Sequence, residues 1–167
     1  MTADFPESLT DPVTLRDHDT VDVRDRTHDV DTAEFADATE LDSHVVVGVV
    51  SDVGVLLQND GHHGWTLPAF PAEAGDDWLA VARHEFEGLT GVPIDVDAVE
   101  RLRAREYRVP DTGDSTTVYN VVVRATPNAR LPEEPQSRVD GTKIEWFADV
   151  PEDVSRPVAA DVERFVD

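Results

Sequence analysis

Trp65-Thr66-Leu67-Pro68-Ala69-Phe70-Pro71-Ala72-Glu73-Ala74-Gly75-Asp76, followed a few residues later by His84-Glu85-Phe86-Glu87-Gly88-Leu89-Thr90-Gly91-Val92, decides the reading of the chain. The first part is a strand-like lead-in ending in a loop of small and acidic residues. From Asp77 onward Trp78, Ala82, Phe86 and Leu89 recur at helical spacing, which predicts an amphipathic helix over 77–90. Gly91 supplies a residue that tolerates a left-handed stop, and Pro93 prevents continuation.

The flanks are strand-rich. Val45 to Val50 is an almost unbroken β-branched run, long enough for a buried strand and too short for a helix. Ser51-Asp52 turns the chain, Val53 to Leu57 returns as a second strand, and Asn59-Asp60-Gly61 turns it again. A long strand is expected around Leu102 to Val109, another over Thr116 to Ala125, and a further one over Lys143 to Phe147. Asn128 to Asp140 reads as a proline-rich loop and Val158 to Val166 as a terminal helix. Ahead of these, residues 1 to about 12 form a polar lead-in. Val13 to Val30 alternates valine with charge as a strand would, and Asp31 and Glu34 have the spacing of a capping box for a short helix. No internal repeat is present. Strands surrounding one strong helix predict an α/β domain over residues 44–167, preceded by an acidic N-terminal extension over residues 1–43 that carries a strand and a short helix.

The chain has 167 residues, 40% of them hydrophobic, enough for one domain with a packed core. Its formal charge is -22, from 36 acidic and 14 basic residues. Of the basic residues only Lys143 is a lysine. The acids are spread along the whole chain, so they describe a surface rather than a tail. This aspartate-rich, lysine-poor composition resembles that of haloarchaeal proteins. Molar salt shortens the Debye length to roughly 3 Å and lets neighbouring carboxylates coexist. No basic patch stands out, which argues against binding a nucleic-acid backbone. Without cysteine there are no disulfides or thiolate metal sites. No apolar run approaches the ~20 residues that span a bilayer, and the N-terminus has no signal region. A soluble, cytoplasmic protein with no membrane partner is expected.

The quoted stretch resembles a Nudix box. That pattern is a glycine, five residues, a glutamate, seven residues, then Arg-Glu-apolar-any-Glu-Glu-any-Gly-apolar. Setting its closing glycine on Gly91 matches every length without gaps. Val92 is then the apolar end, Phe86 the apolar residue after the central acid, and Glu85 that acid. Asp76 falls at the loop glutamate, with Gly75 and Glu73 beside it. Glu145-Trp146-Phe147-Ala148-Asp149-Val150-Pro151 is similar to a strand and turn late in the same fold, so the likeness covers roughly residues 44 to 155. It implies a Nudix-like α/β/α sandwich with a mixed β-sheet. It also implies hydrolysis of a small nucleoside-diphosphate derivative with Mg2+ or Mn2+, because divalent cations neutralise diphosphate oxygens and position water. By the same likeness Glu85 and Asp76 would be catalytic and, with Glu73, would hold the metal.

The chain departs from the pattern at the acids. Gly88 and Leu89 stand where two glutamates belong, His84 where the arginine belongs, and Ala69-Phe70 at the opening glycines. Glu87 is ~200° around the helix from Glu85 and does not substitute for them. The resemblance therefore implies weakened hydrolysis, and Gly88→Glu with Leu89→Glu is expected to raise metal affinity. It equally leaves open a catalytically inactive Nudix-fold module that binds a nucleotide or a protein. The N-terminal extension leaves a homodimeric scaffold open as well.

The remaining candidates have bland readings beside the functional ones. Glu85 lies ~20° from Trp78, beside the apolar arc, a less usual place for an acid than the wet face and one that favours a site. Asp76 and Asp77 suit a helix cap and a first-turn acid. His62-His63 reads as a solvated turn. Glu133 in the proline-rich loop could activate water, although loop acids are more often simply solvated. Arg101, Arg103 and Arg105 alternate onto one strand face, to meet a phosphate or, in so acidic a chain, carboxylates.

Overall fold

The computed structural model describes residues 8–73, 75–152 and 154–166. A mixed sheet forms its centre: β1 (Asp22–Asp29), β2 (Ser43–Ser51), β3 (Gly54–Asn59), β4 (Trp65–Thr66), β5 (Ala69–Ala72), β6 (Ile94–Arg108), β7 (Ser115–Pro127) and β8 (Lys143–Phe147). Its order is β1-β6-β7-β2-β3-β4, with β5 on β2 and β8 on β3. β1 runs parallel to β6, and β7 parallel to β2, while β6 and β7 are antiparallel. Helices α1 (Thr32–Ala38), α2 (Trp78–Thr90) and α3 (Arg156–Glu163) complete the fold.

β2 explains why the valine run carries little alternation. Val45, Val47 and Val49 are fully buried in the cluster that holds Leu79, Ala82 and Phe86 of α2. Val46 points to the opposite face and packs with Val122, Val162 and Phe165 at α3. Both faces are covered, so a β-branched run is the stable solution. This is an α/β/α sandwich with a mixed sheet, as the resemblance implies.

Two expectations change. Val13 is not in a strand, because Pro12–Asp17 forms a 3-10 helix and the strand starts at Asp22. Pro12 fits the first helical turn, and the Asp11 carboxylate accepts from the Val13 N–H at 3.0 Å. The turn buries Leu15 in the α2 cluster. β6 starts at Ile94, well before Leu102, because irregularities between Val96 and Ala98 and between Val99 and Arg101 break its alternation. Within residues 8–43, β1 joins the sheet on β6, and Leu9 and Leu15 join the core. Among the described residues no helix is long and apolar enough to cross a membrane.

Candidate functional site

α2 is fixed at both ends. Asp77, not Asp76, is its N-cap: the Asp77 carboxylate accepts from Leu79 N–H at 3.2 Å and from Leu9 N–H at 2.9 Å. The Trp78 N–H donates to the Leu9 carbonyl at 2.7 Å, tying the N-terminal segment to the helix start. At the other end Gly91 adopts φ 79°, and its N–H reaches the Glu87 carbonyl at 2.7 Å. A side chain at 91 would also overlap the Arg138 guanidinium. Trp78, Leu79, Ala82, Phe86 and Leu89 are buried.

Glu85 is exposed at the edge of the apolar arc, ~20° beyond Trp78, and His84, Glu87 and Gly88 are exposed beside it. Asp76 and Glu73 meet in the loop before the helix. The Asp76 carboxylate accepts from Glu73 N–H at 2.9 Å, the Asp76 N–H donates to the Glu73 carbonyl at 3.0 Å, and Gly75 makes the turn at φ 91°. The Asp76 carboxylate therefore helps close its own loop, and both acids are exposed. Among the described residues no three His, Asp or Glu side chains gather closely enough to hold a metal ion. Leu89 is only 2% exposed, so that box position faces the core rather than a ligand. These residues do not fit a multi-cation clamp. The carboxylate set leaves room for a hydrated cation on Glu85 and no more.

The other candidates separate. His63 Nδ1 lies 2.7 Å from Asp60 Oδ2 in an exposed turn, and this contact holds the Asp60 carboxyl well below its usual range. Glu133 lines a cavity of about 320 Å³ with Arg130, Leu131, Trp146 and the β2–β3 turn, at the carboxyl ends of parallel strands β2 and β7. In open α/β sheets, ligands favour such ends. Arg101 pairs with Asp22 at 3.0 Å and with Asp161 of α3 at 2.6 Å, and Arg103 reaches Asp161 at 2.8 Å. The carboxylate reading holds for these two arginines. Arg105 has no carboxylate partner among the described residues, and its buried Nε has no hydrogen bond there.

Sequence reasoning missed what lies beside Arg103. Asn120 of β7 is opposite it, and His44 of β2 is opposite Asn120. The Asn120 Oδ1 and Arg103 Nε are buried without partners among the described residues. Burial holds His44 below its ordinary pKa, Asp42 partly offsets this, and nearby Arg105 adds to the depression. The signal available in sequence was one polar residue, Asn120, inside an apolar strand.

No protein-family model matches the chain, and no curated protein matches it. Solved structures do. One is a Nudix hydrolase family member from Chromobacterium violaceum, with a TM-score of 0.52 and 15% identity, covering 75% of this chain and 78% of that one. Another is a UDP-X diphosphatase, with a TM-score of 0.51 and 19% identity, covering 81% of this chain and 69% of that one. At this level of identity the likeness defines the fold, which is that of the Nudix hydrolases.

Proposed function

We propose that this chain is a Nudix-type hydrolase with a pared-down metal centre, acting on a small molecule in which a nucleoside diphosphate is linked to a further group. The observation that carries the reading is Glu85, a carboxylate facing solvent at the edge of the apolar arc of α2, on a loop-helix frame of Nudix length inside a Nudix fold. The UDP-X diphosphatase neighbour supports a nucleotide-linked diphosphate as the substrate class. Glu85 would bind a single, largely hydrated Mg2+ or Mn2+, since Asp76 and Glu73 do not gather with it among the described residues. When bound, the cation would neutralise diphosphate oxygens and polarise water. Turnover is slow, because developing phosphoryl charge lacks the second and third carboxylate-held clamps.

A second reading has its own observation. Leu89 is buried and Gly88 carries no side chain, so the helix lacks two acids outright and the fold stands without them. This favours a catalytically inactive module that binds a nucleotide or a protein.

Phosphate release from nucleotide sugars, dinucleotides and nucleoside triphosphates separates the two. The assay is run in molar KCl with Mg2+ or Mn2+, beside Glu85→Gln. The hydrolase reading expects slow turnover on one substrate class, abolished by Glu85→Gln. Turnover no greater than that of the folded Glu85→Gln protein establishes the binding module instead.

A further inference from the structure

The sheet face opposite α2 holds a charge arrangement at odds with the rest of the molecule. Leu102 and Ala104 of β6 turn into the sheet's α2 side, so Arg101, Arg103 and Arg105 project to the other. Register places Arg24 of β1, Arg103, Asn120 and His44 in one row across four adjacent strands. Arg105 lies in the next row, ~7 Å along the strand. α3 covers the row before, where Asp161 takes the ion pairs from Arg101 and Arg103.

Charge on this face does not close. Arg24, Arg101 and Arg164 all share Asp22, Arg101 and Arg103 share Asp161, and Arg124 and Arg164 share Glu100. With Arg105 these are six guanidinium groups against three carboxylates, and against four when exposed Asp42 beside His44 is included. In a chain of formal charge -22, this is a local excess of positive charge on a half-buried surface. Two buried guanidinium Nε donors and one buried acceptor, Asn120 Oδ1, also lack partners among the described residues. Buried polar groups are nearly always met by protein, water or ligand. Water could meet these groups and would leave the charge uncompensated.

We propose that Arg103, Arg105, Asn120 and His44 form a binding tray for the phosphoryl oxygens of a small phosphorylated dianion, distinct from the α2 acids. The guanidinium groups offer directed N–H donors suited to phosphoryl oxygens. Turned over, the Asn120 amide would present its NH2 in place of the unpartnered Oδ1, and the His44 ring completes the row. Such a tray accepts a phosphate ester or a diphosphate without any metal. The inference does not rest on the hydrolase reading, since the tray lies on the other side of the sheet from Glu85.

The test is titration of the full chain with sodium pyrophosphate, and separately with inorganic phosphate, in EDTA, following the His44 ring resonances. EDTA and the absence of any turnover readout keep this result separate from the fate of Glu85. Saturable shifts are expected in the native chain and in Arg83→Gln, which removes the same charge from α2. Arg105→Gln should bind at least tenfold more weakly. Arg105→Lys, which keeps the charge but loses the Nε donor, should fall between. Arg105 has no described ion pair to lose, so folding is retained and helical circular dichroism verifies it. No saturable shift in the native chain, or equal affinity in Arg105→Gln and Arg83→Gln, overturns the proposal and leaves the row as a water-filled structural cluster.

Discussion

The ring of Phe165 lies directly over the backbone of Gly48, so that a methyl group added at position 48 would overlap three of its carbons. Gly48 belongs to β2, and Phe165 follows α3 and is 5% exposed. The C-terminal helix can seat its aromatic residue against the central sheet only because one position in a valine run has no side chain. The Arg124 guanidinium stacks on the same ring, 4.7 Å from its centroid.

Gly48→Ala should therefore cost about 1–3 kcal/mol, as over-packing of a filled core does. Combining it with Phe165→Leu should give a loss smaller than the sum of the two single losses, because the smaller side chain relieves the overlap. Denaturant unfolding of the four proteins measures the coupling. Simple additivity would mean that the ring and the strand do not share this contact.

Asp161 is the common acceptor of Arg101 and Arg103, with side-chain exposures of 12%, 4% and 13% respectively. Removing it as Asp161→Ala leaves two enclosed guanidinium groups short of an acceptor, which should cost roughly 3 kcal/mol. Salt discriminates this pair from the surface ones. Arg16–Asp25 is exposed on both sides and should matter little, and less still in molar KCl. The Asp161→Ala loss should persist there. A loss that vanishes in molar salt would show the cluster to be as solvated as the surface pairs.

These contacts also mark where the sequence stops being informative. The α2 helix, its stop at Gly91, the capping box of Asp31 and Glu34 and the buried β2 run were all legible, because each depends on residues within a few positions of one another. Arg101 was legible only as a residue that would meet some carboxylate. Its partners are 79 and 60 positions away, at Asp22 and Asp161. The 3-10 turn at Pro12–Asp17 was hidden because its valine and leucine mimic strand alternation, while the burial of Leu15 is decided by packing from distant elements. The row from Arg103 to His44 spans three strands whose order no local pattern gives.

At the degenerate box the two missing acids are not equivalent. An added Cβ at Gly88 meets nothing within 4 Å, whereas Leu89 is 2% exposed. Gly88→Ala should stabilise the helix by up to ~1 kcal/mol. Leu89→Glu exchanges a core contact for an enclosed carboxylate and should cost at least ~3 kcal/mol. Gly88→Glu alone, three residues from Glu85 and on its face, is thus the variant expected to strengthen Mg2+ or Mn2+ binding in a folded protein. Calorimetric titration with Mn2+ beside thermal unfolding checks both halves. A stable Leu89→Glu protein would mean that this side of α2 opens to solvent.

His44 gives the fold a pH dependence of definite sign. Its folded pKa lies below 6.5, chiefly because burial penalises the charged ring. Arg105 and His63 act in the same direction, and Asp42 against it. Between the folded and unfolded values the unfolded chain binds more protons. Stability is thus complete above about 6.5 and falls as pH drops from there toward the folded value. His44→Gln removes this contribution, so the native chain should lose melting temperature between pH 7 and pH 5.5 more steeply than the variant does. Pyrophosphate in the tray would favour the charged ring and should flatten the native profile toward that of His44→Gln. Parallel profiles for the native and variant chains without ligand would show that His44 reaches water freely in the folded state.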